Sequence, residues 1–146
     1  MEQDKLTLVA EEGASLSSGS LRLYALPYGC IDLYNYDPLN RRAAVGIMVA
    51  TEYRRQGYAL AMLRKLDNLF SRPAGEIQKS NVSQISGLRR RRENTIHCLY
   101  ADIAESNTAS IALFGKAGYT ECGHFKEWLN INGKYIDTIR MQKLLS

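Results

Sequence analysis

The feature that most constrains the fold is a change of hydrophobic period across one basic, glycine-containing turn. Residues 43–50 (AAVGIMVA) form an uninterrupted apolar run, which is typical of a central strand covered on both faces. The turn 54–57 (RRQG) follows. From Tyr58 onward, apolar residues recur at intervals of three and four, which predicts an amphipathic helix ending near Ser71. A strand, a short basic loop and a helix in this order indicate an α/β fold.

Further strands precede and follow this unit. Alternating or continuous apolar residues predict strands at 5–10, 21–27, 29–38 and 96–103. The strand at 29–38 and the apolar run after it are joined by a turn sequence, DPLN, so the two should form a β-hairpin. The polar residues 11–20 read as a loop.

The C-terminal third predicts a short helix and a second hairpin. Within 105–119, a helix is expected to end at Gly118 as its C-cap. Ala109, Ala112, Leu113 and Ala117 are expected to share one face of this helix. The tail then reads as two strands around Asn132-Gly133, a strong hairpin signal. Together these elements predict one mixed α/β domain spanning residues 1–146.

The net charge of +4 lies entirely within residues 71–95. That segment holds six basic and two acidic residues, and the rest of the chain holds thirteen of each. It has no sustained period, so it is interpreted as a disordered or inserted segment of the domain. The run of four arginines at 89–92 is interpreted as solvated. Nucleic-acid contact is not expected, because no interleaved aromatic residues support base stacking.

Several classes of protein are disfavoured by what the sequence lacks. No apolar run approaches the roughly 18 residues of a membrane span, and the acidic N-terminus does not resemble an export signal. Cys30, Cys98 and Cys122 have no metal-binding spacing, so buried thiols in a reducing cytoplasm are expected rather than a metal site or a nucleophile.

The loop before the first helix is suited to bind an anion. A helix N-terminus offers free backbone N–H groups and about half a positive charge from its dipole. Gly57 allows a bulky group to approach the backbone, and Arg54 and Arg55 add fixed positive charge. A phosphate or pyrophosphate is therefore one expected ligand, and an ordinary solvated turn is the alternative.

Two sequence blocks resemble the GCN5-related N-acetyltransferases. The sequence RRQGYA (54–59) is similar to the family's Q/R-x-x-G-x-G/A signature, and it likewise follows a long apolar strand and opens a helix. The sequence NTASIALFGKAGY (107–119) resembles a later family motif, and the similarity as a whole covers 29–70 and 96–144. Within the family it looks most like the bacterial enzymes that acetylate spermidine or ribosomal-protein N-termini. This resemblance implies a mostly antiparallel sheet with flanking helices and a splayed central strand pair.

The resemblance also implies acetyl-CoA as co-substrate and assigns residues to it. The loop would hold the CoA pyrophosphate, and the strand before it would pair its backbone with the pantetheine arm. Asn107 matches the family asparagine near the cofactor arm, although it would serve equally well as a helix N-cap. The implied cofactor-binding residues are Ile47, Met48, Val49, Arg54, Arg55, Gln56, Gly57, Tyr58, Ala59 and Asn107.

The resemblance leaves the proton-transfer residues unassigned. Acetyl transfer needs a neutral amine, a stabilised oxyanion and a proton for the departing thiolate; backbone N–H groups near Val49 could serve the oxyanion. Phe114 stands where many relatives have a tyrosine, and it cannot donate a proton. The remaining candidates are Asp32, Asp37, Glu52 and Tyr119. His97 and His124 are expected to be packed or surface imidazoles.

Two departures from the family pattern keep a second function open. The loop 11–20 is too short for the two helices that usually wall the acceptor site, and 71–95 has no counterpart in the pattern. The leading hypothesis is a cytoplasmic N-acetyltransferase for a polyamine, a protein N-terminus or another small amine. The alternative is a catalytically impaired, CoA-binding protein of the same fold. A homodimer would be in keeping with the family.

Overall fold

The computed structural model describes residues 6–71 and 96–145 and shows them folded around one mixed sheet. Seven strands have the order β1-β2-β3-β4-β5-β7-β6 in this part of the chain, and all neighbours are antiparallel except β4 and β5. The strands are β1 Val9–Ala10, β2 Leu21–Ala25, β3 Gly29–Asp37, β4 Arg42–Val49, β5 Cys98–Ala104, β6 Thr120–Ile131 and β7 Lys134–Leu144. The helices are α1 Tyr58–Phe70 and α2 Thr108–Lys116. This confirms the predicted fold class.

Both predicted hairpins are present, and local chemistry explains their turns. Between β3 and β4, Asp37 Oδ1 accepts hydrogen bonds of 3.0 Å from the N–H groups of Leu39 and Asn40. These hydrogen bonds lower the pKa of Asp37, and the bond from the Asn40 N–H group has the largest effect. Between β6 and β7, Asn132 and Gly133 have positive φ angles of 53° and 83°, as a two-residue hairpin turn with right-handed strand twist requires.

The parallel pair β4–β5 separates after three residues. Arg42, Ala43 and Ala44 pair with 98–100, and no later residue of β4 pairs with β5. The splayed strand pair is therefore confirmed. The expectation that residues 43–50 are covered on both faces holds only for the first half of the strand. Met48 in the second half is 63% exposed, because it pairs with Cys30 on the sheet face opposite the core.

The hydrophobic core joins α1 and α2 to one face of the sheet. In β3, Ile31 and Leu33 are fully buried, whereas Cys30, Asp32 and Tyr34 face the opposite side and are partly or well exposed. The expectation of buried thiols was wrong. Cys30 and Cys98 are half-buried and Cys122 is exposed, since none of them lies on the core face of its strand.

The four residues that the sequence predicts on one face of α2 differ in burial. Ala117 is buried, but Ala109 and Ala112 are exposed, and Phe114 takes the core position instead. Phe114 packs edge-on against Tyr119 with ring centroids 4.9 Å apart. The C-cap of α2 is Ala117, one residue before the predicted Gly118. Gly118 follows it with a φ of 96°, the left-handed conformation that commonly ends a helix at this position.

The connection between β1 and β2 is as short as the sequence predicts. β1 comprises two residues rather than the whole of 5–10, and it pairs directly with β2. The connection holds one 3-10 turn, Leu16–Ser18. No helix within 6–71 or 96–145 is long and apolar enough to cross a membrane. The polar segment 71–95 was expected to be disordered or inserted. Apart from Ser71, it lies outside the described residues.

Candidate functional site

A cavity of about 450 Å³ opens between the end of β4, the N-terminus of α1 and one side of α2. The cavity joins two parts of the chain that are about fifty residues apart in sequence. It therefore exists only in the folded molecule. It is lined by Val49, Tyr53, Arg54, Arg55, Gly57, Tyr58, Ala59, Leu60, Ala109, Ala112, Leu113 and Lys116. The exposed alanines of α2 thus face this cavity instead of the core.

The N-terminus of α1 offers unpaired backbone donors to the cavity. Gly57 is its N-cap, with φ of 88° and no side-chain cap bond. The first intrahelical bond of this turn runs from Ala61 N–H to Gly57 O, at 3.1 Å. The N–H groups of Tyr58, Ala59 and Leu60 therefore have no acceptor within the helix. Arg55, two residues before Gly57, also has a positive φ of 62°.

The charge of the lining suits an anion. Arg54, Arg55 and Lys116 contribute to it, and none of the lining residues is acidic. Arg54 is also fixed in place, since its Nε donates a 3.0 Å hydrogen bond to the carbonyl of Val49. Together with the helix dipole, these groups can hold a phosphate or pyrophosphate. The donor set therefore fits the phosphate end of a nucleotide-type cofactor.

Three tyrosines position the loop, and sequence reasoning missed two of them. Tyr58, the first residue of α1, stacks on Tyr28 with ring centroids 4.0 Å apart. Tyr53 packs edge-on against both rings, at 4.9 Å from Tyr28 and 5.8 Å from Tyr58. The only sequence signal was an aromatic residue on each side of the basic turn. The stacking fixes where the free N–H groups of α1 point.

The second half of β4 leaves one backbone edge free for a ligand. Residues 47–49 pair with β3 on one side and have no partner strand on the other within the described chain. Ala50 N–H points to β3, where it donates to Tyr28 O at 2.8 Å. Strand alternation then turns the N–H groups of Ile47 and Val49 into the gap and that of Met48 toward β3. An extended amide chain could pair with Ile47 and Val49.

Two other predicted cofactor residues have structural partners. Gln56 closes the turn by donating from Nε2 to the carbonyl of Glu52 at 3.0 Å. Asn107 is the N-cap of α2, and its Oδ1 accepts a 3.1 Å hydrogen bond from Ser110 N–H. The cap role of Asn107 is thus present, and its contact with a cofactor stays a prediction.

The double role of Asn107 can be separated by substitution. We expect Asn107→Ala to lower the free energy of unfolding by about 1 kcal/mol, because the cap of α2 is lost. Asn107→Ser should keep the cap and most of this stability. Weaker acetyl-CoA binding in both variants, measured by calorimetry, would indicate direct contact with the amide. If Asn107→Ser bound acetyl-CoA as tightly as the wild type does, Asn107 would act only as the N-cap of α2.

The catalytic candidates from the sequence do not converge on the cavity. Asp32 lies on β3 and forms a bidentate ion pair with Arg22, at 2.7 and 2.8 Å. Tyr119 is 3% exposed, and burial raises its pKa far above the usual range. Neither lines the cavity, so their assignment as proton-transfer residues there is not supported. Glu52 is exposed in the 3-10 turn Thr51–Tyr53 beside the loop, and its role stays a prediction.

The chain matches one family model and a curated relative. The model of the acetyltransferase (GNAT) domain matches residues 12–120. Spermidine N(1)-acetyltransferase of Vibrio cholerae is 27% identical over 119 residues, which are 81% of this chain and 57% of that protein. The chain therefore spans little more than half the length of this relative.

Solved structures of Vibrio cholerae spermidine N-acetyltransferase share the fold. The complex with CoA and spermine has a TM-score of 0.66 at 23% identity, covering 88% of this chain and 68% of that one. The dodecameric structure has a TM-score of 0.65 at 25% identity, covering 88% of this chain and 66% of that one. The sheet order and the splayed strands described above are therefore those of an established fold.

Proposed function

The chain belongs to the GNAT acetyltransferase family, and on this premise we propose that it transfers the acetyl group of acetyl-CoA to a primary amine. The observation that carries the proposal is the cavity at the N-terminus of α1. There, unpaired N–H groups and three basic side chains adjoin the free backbone edge of β4. A pyrophosphate and an amide-containing arm are the two parts of CoA that these features complement.

Each part of the cavity has one task in this proposal. The loop with Arg54, Arg55 and Gly57 holds the pyrophosphate, and the N–H groups of Ile47 and Val49 pair with the pantetheine arm. The bound co-substrate supplies an electrophilic thioester carbonyl. In this proposal one of these two N–H groups donates instead to the oxygen of that carbonyl, where negative charge develops, and the other remains paired with the arm. The amine must arrive neutral, because an ammonium has no lone pair.

We propose a polyamine as the acceptor, with spermidine as the first candidate. The curated relative is a spermidine N(1)-acetyltransferase, and a structural neighbour is a complex with CoA and spermine. A protein N-terminus and other small amines remain the competing acceptors. The short connection between β1 and β2 means that the wall of the acceptor site is formed differently here or comes from a second subunit.

Calorimetry with acetyl-CoA followed by an amine screen tests the proposal. We expect saturable binding of acetyl-CoA and release of free CoA thiol when spermidine is added, with a smaller rate for an N-terminal peptide. Binding without release of thiol for any amine would favour the alternative, a CoA-binding protein of this fold without catalysis. Absence of binding to the folded protein would overturn the site assignment.

We also propose that the protein is a homo-oligomer. β6 is one of the two edge strands of the sheet in the described residues, and its hairpin with β7 exposes large apolar side chains: Trp128 is 64%, Ile131 44% and Tyr135 59% exposed. A relative of the same fold forms a dodecamer. Light scattering after size exclusion should give a mass of at least twice that of the 16.4 kDa chain. A monomer at micromolar concentration would contradict the proposal.

A further inference from the structure

Three possible metal ligands from distant parts of the chain meet beside the diverging end of β5. Glu105 follows the last residue of β5, His124 lies on β6 and Asp137 lies on β7. One ligand atom from each side chain lies within 4.8 Å of the other two. We propose that Glu105, His124 and Asp137 bind a divalent transition-metal ion, for which Zn²⁺ is the best match.

Backbone hydrogen bonds fix the position of Asp137 and connect it to Glu105. Asp137 Oδ1 accepts a 2.8 Å hydrogen bond from Glu127 N–H, so the carboxylate has a fixed orientation. The N–H group of Glu127 is free to make this bond because the pairing of β6 with β7 is interrupted between Phe125 and Leu129. Glu127 has a φ of 50° in this interruption. The carbonyl of Asp137 accepts from Glu105 N–H at 2.9 Å, which ties the end of β5 to β7.

The distances allow metal coordination after small movements of two side chains. Asp137 Oδ2 and His124 Nε2 are 2.7 Å apart. Ligand atoms around a tetrahedral Zn²⁺ lie about 3.3 Å apart, given metal–ligand distances of roughly 2.0–2.1 Å. The pair must therefore open slightly, while Glu105 must approach. Glu105 and His124 are exposed, so both can make this change by side-chain rotation.

The donor set selects the kind of ion. One imidazole nitrogen with two carboxylate oxygens suits Zn²⁺ and neighbouring transition metals, whereas Mg²⁺ and Ca²⁺ prefer oxygen ligands throughout. Three protein ligands leave a fourth position open to water. No member of the cluster lines the cofactor cavity, so the site is separate from the one proposed for acetyl-CoA. The sequence did not indicate it, because the ligands come from three elements and show no motif spacing.

The same geometry without a metal would be an ordinary ion pair between His124 and Asp137. The two interpretations differ in Glu105, because an ion pair does not require it and a three-ligand site does. Glu105→Gln is therefore the decisive variant. It is an exposed, nearly isosteric change, so the fold should be retained.

Calorimetric titration of the EDTA-treated, dialysed full chain with Zn²⁺ tests the proposal. We expect one ion per chain, with Kd raised at least about tenfold in Glu105→Gln and in His124→Gln. The matched control is Glu12→Gln, an exposed glutamate elsewhere, which should bind as the wild type does. Absorption of bound Co²⁺ should show tetrahedral nitrogen and oxygen ligation and should be lost in the same two variants. Failure to bind stoichiometrically, or wild-type affinity in Glu105→Gln, would overturn the site and leave the ion pair alone.

Discussion

The substitution Gly57→Glu is expected to abolish measurable acetyl-CoA binding, with a Kd at least about 100-fold higher than that of the wild type. Two effects combine at this position. The φ of 88° lies in the left-handed region, which costs a residue with a Cβ about 1–2 kcal/mol. The new carboxylate also stands at the N-cap of α1, where the free N–H groups and Arg54 would otherwise meet the pyrophosphate.

A matched glycine elsewhere separates backbone strain from the loss of the site. Gly13 has a φ of 80°, and no atom lies within 4 Å of where its Cβ would be. Gly13→Glu therefore introduces the same charge and comparable strain far from the cavity. We expect it to bind acetyl-CoA as the wild type does, with a similar loss of thermal stability. Unchanged affinity in Gly57→Glu would refute the assignment of the loop.

The substitution with the largest expected effect on stability is Lys143→Met. Lys143 Nζ donates to Asp67 Oδ2 at 2.5 Å and to the carbonyl of Ala117 at 2.8 Å, so it links β7 to both helices. The side chain of Asp67 is only 11% exposed, and its Oδ1 has no hydrogen-bond partner among the described residues. Removing the lysine leaves this carboxylate unpaired. We expect the free energy of unfolding to fall by about 2–3 kcal/mol, somewhat less than for a fully buried pair.

The pH dependence of this loss follows from the direction of the pKa shift. Burial raises the pKa of Asp67 in the folded protein, and Lys143 partly opposes the shift. Without the lysine the folded-state pKa rises further above the unfolded value, so the folded state binds the proton more tightly. The stability linked to that proton is present at low pH and is lost as pH rises through the folded pKa. The loss of unfolding free energy in Lys143→Met should therefore be smaller at about pH 5 than at about pH 8.

Urea denaturation of the single and double variants checks this interpretation. Adding Asp67→Leu to Lys143→Met should recover at least about 1 kcal/mol, because the unpaired charge is gone. Lys134→Met, at the exposed start of the same strand, should stay within about 0.5 kcal/mol of the wild type. A deficit in Lys143→Met that does not change with pH would mean that lost packing, and not the buried charge of Asp67, is responsible.

Local sequence signals predicted most of the secondary structure. The helix that begins at Tyr58, the β3–β4 hairpin and the Asn132-Gly133 turn each depend on periodicity or on the φ angles of a few adjacent residues. These features can be predicted without tertiary information because adjacent residues determine them. The errors have a common origin. Met48 and Cys122 are expected to be buried because of their residue types, and only the arrangement of neighbouring elements leaves them exposed.

The basic loop could likewise be recognised in the sequence, since Arg54 to Gly57 are four consecutive residues with a strand before them and a helix after them, while its binding of an anion stays a prediction. By contrast, the order of the sheet decided where β4 and β5 separate, and so which N–H groups of β4 are free. Tertiary packing brought Tyr28 onto Tyr58 and placed α2 across the cavity. It also drew Asp32 into an ion pair with Arg22 and buried Tyr119. Sequence by itself determined the elements and the chemistry of one loop, because both depend on neighbours along the chain. The site as a cavity depends on contacts between residues far apart, which only the folded structure specifies.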